Sequence, residues 1–479
     1  MRVRAAVFLV CCALPGCMFG PDYTRPEVPV PAAYRYEPTE VAAAADVEWW
    51  KKMNDPVLDA MIAEALANNP SVKIAAANVE QAAAVLSTTR SAFFPQVGYQ
   101  GAAARQKLSQ NTLALLPPGI PNPSTSYSAL AGASWEIDLW GRVRRLTEAA
   151  QANLLATEEA RRGVLLSLVA TVSNSYLLLR GLDEQLAIAD RTQEAYAESL
   201  KLMQYKFQYG RVSEMEVEQA RARYQTAAAQ IPATKRDIAT LENALCILLG
   251  RAPGPVERGK PIFEMALPEV PAGVPSELLE RRPDVRQAEQ LLVAANAQIG
   301  AARAQYFPSI SLTGSLGSAS SELSNLFRGP ANSWSYAANV AGPIFTGGAI
   351  SGQVAQAEAG QKAALAGYQL AIQNAFADVE SALVSRATLE EQVAAQEKLV
   401  TALRNYSRIA QMQFDGGRAP YSTVLQAEQE LFPAELAWAV LRAQLSTSVV
   451  NIYKSMGGGW VDGVAAVADA PAPTRQGKP

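Results

Sequence analysis

Two hydrophobic periods alternate along this chain. Residues 306–317, YFPSISLTGSLG, run with a period of two: Ser309, Ser311, Thr313 and Ser315 stand against Ile310, Leu312, Gly314 and Leu316. That alternation predicts a strand with one wet face and one oily face. The pattern recurs in SYSALAGASWEIDLW, where Tyr127, Ala129, Ala131, Ala133, Trp135, Ile137 and Leu139 alternate with Ser128, Ser134, Glu136 and Asp138. It recurs again in SWSYAANVAGPIF, with Trp334, Tyr336, Ala338, Val340 and Ile344 against Ser333, Ser335 and Asn339. A fourth strand is expected after Pro95. Each is about 10–14 residues long, close to what a tilted membrane strand needs. Trp135, Trp334 and Tyr336 suit an interfacial aromatic girdle.

Between the strands the period changes. Leu165, Leu168, Val172, Leu179, Leu182, Leu186, Ala189, Tyr196, Leu200, Met203 and Phe207 fall on a 3-4 spacing interrupted by Ser175 and Gln193. Ile372, Ala375, Val379, Ala382, Leu389, Val393, Val400, Leu403, Ala410 and Phe414 repeat the seam more weakly. Such seams pack helices as coiled coils. A continuous helix over 142–208 would be roughly 100 Å long at 1.5 Å per residue. Turns at 209–213 and 415–420 send a second helix back, ending at Gly250 or Gly457.

The chain is written twice. Pro70, Arg90 and Pro95 correspond to Pro283, Arg303 and Pro308 at one offset, and FQYGR (207–211) corresponds to FDGGR (414–418) at a slightly smaller one. Each half reads helix, strand, loop (108–124 or 317–332), strand, long helical hairpin. This predicts an internal structural duplication: a first repeat over 46–250, a connector over 251–275 and a second repeat over 276–460.

Composition narrows the chemistry. The 479 residues include no histidine, which removes His-based triads and His-ligated metal sites. A net charge of −3 with few charged residues offers no basic face for nucleic acid. The start, MRVRAAVFLVCCALPGCMFG, has a basic segment and a short apolar core, the form of a signal peptide over 1–16. Its LPGC resembles the lipobox of bacterial lipoproteins, which would make Cys17 an acylated first residue carrying palmitate-type chains. Processing there gives a mature charge of −5, since Arg2 and Arg4 leave. Residues 17–45 then read as a lipid-anchored extended tether, and 461–479 as a disordered tail. GPVERGKP (254–261) approaches a phosphate loop, but Pro261 stands where the hydroxyl belongs, so it reads as connector. The Gly-rich GPIFTGGAISG lies at a strand-to-helix bend and is assigned to close packing. Cys246 lies on an apolar helix face and is expected to be buried.

No segment past the signal has about 18 uninterrupted apolar residues, so the chain can cross a membrane only with strands. Four strands cannot close on themselves, and an open edge in lipid strands its backbone groups at several kcal/mol each. Three copies would supply twelve strands, enough for an aqueous lumen.

The duplicated plan, EWWKKMNDPVLDAMIAEALANNP near the start and IYKSMGGGW near the end resemble the outer-membrane factor family of tripartite efflux systems. The lipobox resembles its lipoprotein branch, which serves exporters of the resistance-nodulation-division type. The resemblance covers about residues 46–460. It implies a mixed α/β membrane protein: a homotrimer with a twelve-stranded outer-membrane β-barrel, four strands per chain, continued by an α-helical coiled-coil barrel with a mixed equatorial region. It implies a passive, non-enzymatic conduit for drugs or other small toxic compounds. Its partners would be a periplasmic adaptor, an inner-membrane transporter and outer-membrane lipid, with no cofactor beyond the lipid on Cys17. Phe207, Gly210, Arg211, Phe414, Gly417 and Arg418 fit the family's aromatic-x-x-Gly turn at the periplasmic mouth and adaptor contact. Arg211, Glu214, Asp415 and Arg418 are the candidate gate charges, each a ring of three in a trimer. Some members carry an acidic residue two places after the glycine; here Val212 and Ala419 stand there. Two other readings remain: a secretion duct for polypeptides, and a pore-less lipid-anchored coiled-coil scaffold.

Overall fold

The computed structural model describes residues 18–28, 34, 48–109, 121–268 and 278–458. The signal peptide, Cys17 and the tail over 461–479 lie outside the described residues. In chain order the elements are α1 (Pro56–Asn68), α2 (Pro70–Ser91), β1 (Gln96–Gln106), β2 (Ser124–Ile137), α3 (Arg142–Gln208) and α4 (Glu214–Leu248). There follow α5 (Pro283–Arg303), β3 (Ser309–Ser320), β4 (Asn332–Ala341), α6 (Ala349–Asp415) and α7 (Tyr421–Ser455). Helices α3 and α6 have 67 residues each, and α4 and α7 have 35 each. The chain forms two compact units.

One unit comprises the described residues of Met1–Glu27, Val79–Thr157 and Ala288–Tyr368. It holds a four-stranded antiparallel sheet in the order β1-β2-β3-β4. The β2–β3 pairing, from Ile137↔Ile310 to Tyr127↔Ser320, joins strands far apart in sequence. β2 ends at Ile137 and β4 at Ala341, so Leu139 and Ile344 fall outside the ladder that the alternation suggested. β3 runs on to Ser320, three residues beyond the expected loop start. At the start of α3, Asp138 accepts hydrogen bonds from the amides of Val143 (3.0 Å) and Arg144 (2.9 Å), capping the helix. Gly141, at φ +77°, makes the bend.

The same unit seats the chain's first described residues. Phe19 stacks on Phe307, with centroids 4.1 Å apart, and leans on Trp140 at 6.0 Å. Arg145, 1 % exposed, donates to the carbonyls of Phe19 and Gly20 and to the Asp22 carboxylate at 2.7 Å. A Cβ on Gly20 would lie 2.4 Å from the Gly300 Cα, so backbone meets backbone. The segment is extended, as its composition suggested, but over residues 18–25 it is docked rather than a loose tether. A guanidinium this buried is tolerable because each face of its fork finds an acceptor.

The second unit comprises the described residues of Val28–Asn78, Glu158–Gln287 and Gln369–Pro479. The predicted seams of α3 and α6 are its inward faces: Leu165, Val172, Leu179, Ala189 and Met203 are buried on one, Ile372, Val379, Val400 and Ala410 on the other. One 18-residue window of α3 is apolar enough to cross a bilayer, yet more than half of it is buried inside the protein. The largest core gathers Trp49, Trp50, Leu58, Ile62, Leu165, Tyr176, Val449 and Tyr453, with Trp49 stacked on Tyr453 at 5.2 Å. Cys246 is buried, its Sγ donating to the Gly254 carbonyl at 3.3 Å.

GPVERGKP is a strap in this unit. Asp55, fully buried, caps α1 through the Val57 amide (2.9 Å), and its other oxygen accepts the Tyr176 hydroxyl (2.9 Å) and the Lys260 amide (3.1 Å). Tyr176 in turn accepts the Gly259 amide at 2.9 Å. A Cβ on Gly259 would lie 2.2 Å from Asp55, so the glycine is there for close approach. Arg258 pairs with Asp183 (2.9 Å) on α3 and Glu242 (2.7 Å) on α4. The resemblance to a phosphate loop is therefore spent on holding helices. Removing the Asp55 carboxylate in Asp55→Ala strands several buried donors and is expected to cost about 2–4 kcal/mol. A lowered thermal midpoint, with faster amide exchange at Gly259 and Lys260, checks this.

Candidate functional site

Two features are candidates for function, and the first is the sheet. Its register puts Val97, Tyr99, Tyr127, Ala129, Ala131, Ala133, Trp135, Ile310, Leu312, Leu316, Trp334, Tyr336 and Val340 on one face. Gln96, Gln100, Ser126, Ser128, Ser134, Ser311, Thr313, Ser315, Ser335 and Asn339 share the other, where Leu130 is the one large apolar side chain. The hydroxyls of Ser315 and Ser335 meet at 2.8 Å on that wet face. On the oily face Tyr99 is 94 % exposed, and Trp334 and Tyr336, stacked 5.7 Å apart, are 70 % and 81 % exposed. A water-soluble fold would bury such a surface. The three aromatics proposed as a girdle share this face but occupy three successive rows, and Trp135 is tied by its indole N–H to the Phe93 carbonyl at 3.0 Å. β1 and β4 each keep one unpaired edge.

The second feature is the pair of hairpin turns. Gly210 (φ +65°) and Gly417 (φ +66°) both take the left-handed conformation that glycine adopts without a Cβ penalty. The bonds match: the Gly210 and Gly417 amides reach Phe207 and Phe414 carbonyls, and the Arg211 and Arg418 amides reach back to Lys206 and Gln413 at 2.8 Å. These are Schellman-type closures that satisfy the last carbonyls of α3 and α6. The two turns pack into one cluster of Met203, Val217, Ala220, Ala410, Tyr421, Val424, Leu425 and Ala427.

The turns differ where the charges lie. Phe207 is exposed, whereas Phe414 packs on Tyr421 (5.2 Å) beneath the Lys206 ammonium at 4.3 Å. Glu214 corresponds in position to Tyr421, so one turn shows a charge where the other buries a ring. Arg211, Glu214, Asp415 and Arg418 are all exposed. Asp415 accepts two hydrogen bonds from Gln411 on its own helix. Among the described residues the four candidate charges form no ion pair with one another.

Beside this tip lies a cluster the sequence did not single out. Ser199 and Tyr421 hydroxyls meet at 2.7 Å, Tyr196 donates to the Glu428 carbonyl at 3.2 Å, and Arg223 donates to Gln429 at 3.2 Å. Burial pushes the Glu428 carboxyl up to about 7, against the attraction of Arg223. Burial likewise raises the Tyr196 phenol to about 12. Only helix periodicity could have hinted at Glu428, which sits between the buried positions Ala427 and Phe432.

A sheet wet on one face and oily on the other, with both edges open, belongs to an outer-membrane channel. Comparisons with known proteins agree. The profile of the outer membrane efflux protein family matches residues 61–251 and 274–458. The toluene efflux pump outer membrane protein TtgC of Pseudomonas putida is 38 % identical over 458 residues, 94 % of each chain. The structure of the Campylobacter jejuni CmeC outer membrane channel superposes with a TM-score of 0.89 at 27 % identity, covering 95 % of this chain and 98 % of that one. The open state of the Neisseria gonorrhoeae MtrE outer membrane channel gives 0.84 at 31 % identity, covering 93 % and 99 %. The chain belongs to the outer membrane efflux protein family. It is a channel component of the outer membrane, in a family of non-enzymatic conduits, and relatives named for efflux do not favour a pore-less scaffold or a polypeptide duct.

Between about pH 4.5 and 7 the folded tip holds a proton on Glu428 that an unfolded chain has released. Raising the pH through that window therefore removes stability from the tip. Protection factors in the turns at 209–213 and 415–420, taken relative to the intrinsic exchange rate at each pH, should be lower at pH 8 than at pH 5, and Glu428→Gln should flatten most of that difference.

Proposed function

We propose that three copies of this chain close their sheets into a twelve-stranded barrel in the outer membrane, the outer end of a tripartite efflux pump. The observation that carries the reading is the sorted sheet with two open edges. In lipid each unpaired edge leaves a row of unsatisfied amides and carbonyls, a cost of several kcal/mol per group. Pairing β4 of one copy with β1 of the next removes it. The wet faces then line a lumen and the oily faces meet lipid. Twelve strands, four from each copy, fit the range that leaves an aqueous bore.

In this reading the chain is an internal duplication, with 46–250 and 276–460 as its repeats and 251–275 as the connector. The hairpins α3–α4 and α6–α7 continue the conduit as a helical barrel into the periplasm. Their turns meet a periplasmic adaptor through Phe207, Gly210, Arg211, Phe414, Gly417 and Arg418, and the adaptor joins an inner-membrane transporter of the resistance-nodulation-division type. Transport through this component is passive. Its cargo is drugs or other small toxic compounds, a class supported by relatives named for toluene, solvent and antibiotic efflux. Cys17 carries the lipid anchor. Arg211, Glu214, Asp415 and Arg418 ring the mouth and set its closed-state leak.

Purified protein in planar bilayers is expected to give discrete conductance steps and a trimer mass by native mass spectrometry; a detergent-independent monomer without β signal overturns the proposal. Arg418→Glu and Asp415→Ala are each expected to change closed-state conductance at least about twofold through altered ring charge. Unchanged conductance in both removes these residues from the gate.

A further inference from the structure

Charge is almost absent from the sheet. Across all four strands only Arg105 and Glu136 carry formal charge. Glu136 lies at the helix-proximal end and is neutralised by a two-pronged contact with Arg142, at 2.8 and 2.9 Å. Arg105 is at the opposite, loop-connected end, opposite Thr125. By register it stands in the column of Val97, Tyr99, Gly101 and Ala103, which is the oily face. It is exposed and has no side-chain partner among the described residues.

An unpaired arginine on a lipid-facing column is tolerated only where it reaches the interface and meets an anion. Its surroundings repeat the sign. Lys107 lies two residues on, and the loop between β3 and β4 exposes Arg328 beside Phe327, itself 80 % exposed, and Leu323. Glu322 is the single acidic residue in the two loops, and it accepts a hydrogen bond from Asn325. The loop end therefore offers cations together with bare apolar side chains. That combination suits a ligand with phosphate groups on an acylated body.

We infer that the loop end of the sheet, through Arg105 with Lys107 and Arg328, binds the phosphate groups of an acylated glycolipid in the outer leaflet. This rests on the barrel reading above: pairing β4 of one copy with β1 of the next brings Arg328 and Phe327 of one protomer beside Arg105 of its neighbour. The site is then shared across each seam and incomplete in a single chain. Arg105 supplies the planar fork that matches a phosphate oxygen pair, and Lys107 and Arg328 add charge. Phe327 and Leu323 cover the acyl portion.

The test uses the full-length oligomer in phosphatidylcholine nanodiscs doped with bisphosphorylated lipid A, counting retained lipid A by native mass spectrometry. Arg105→Gln is expected to weaken retention about fivefold, the effect of one interfacial cation, and Arg105→Lys to restore much of it. Lipid A stripped of phosphate should bind no better to wild type than to Arg105→Gln, and inorganic phosphate should not displace the intact lipid. Equal retention by wild type and Arg105→Gln, in oligomers that conduct, overturns this inference and leaves the channel reading standing. Failure of the wild-type chain to form a conducting β-rich oligomer overturns both. Displacement by inorganic phosphate reduces the site to a simple anion contact and overturns the glycolipid assignment.

Discussion

Backbone hydrogen bonding at the two edges of one sheet governs the rest of this molecule. β1 and β4 present N–H and C=O groups that no residue of the same sheet satisfies. In water an edge of this kind is a hazard managed with charge, proline or a bulge. Here the outer strands carry none of these within the ladder except Arg105 at one end. An edge left so plain, beside an oily column, is what the proposed pairing between copies in lipid rests on.

The hairpins solve a different problem. Helices of 67 residues cannot be held by intrinsic propensity, and their stability comes from the buried seam. That seam is broken only at Ser175 and Gln193 on α3 and is weaker on α6, where Arg386, Gln396 and Ser407 interrupt it and Ala375 and Ala410 stand at the positions of Leu168 and Met203. At the tip Phe414, Tyr421 and the Lys206 ammonium are layered. The two turns share backbone geometry to within a degree of φ yet differ in what they expose.

Much of this was legible in the sequence, because period is a direct projection of surroundings. Strand alternation named the oily and wet faces, and the 3-4 seam named the buried positions of α3 and α6. The paired glycines at 210 and 417 were legible because a reversal needs positive φ. What escaped was everything set by distant partners. In GPIFTGGAISG close packing holds at Gly342, where a Cβ would lie 2.8 Å from the Pro308 side chain, but Gly347 and Gly348 are glycine for their φ values of +57° and +91°. The elevated Glu428 carboxyl depends on layers from three helices, which no local window contains. The docking of Phe19 and Asp22 escaped because Arg145 reads like any helix-surface arginine until its acceptors, more than a hundred residues earlier, fold over it.

That docking also has a bearing on the order of assembly. Phe19 and Gly20 find their seats on Trp140, Arg145, Gly300 and Phe307, which come from both halves of the polypeptide. Phe19 and Gly20 therefore have no complete seat until the chain has been made past residue 307.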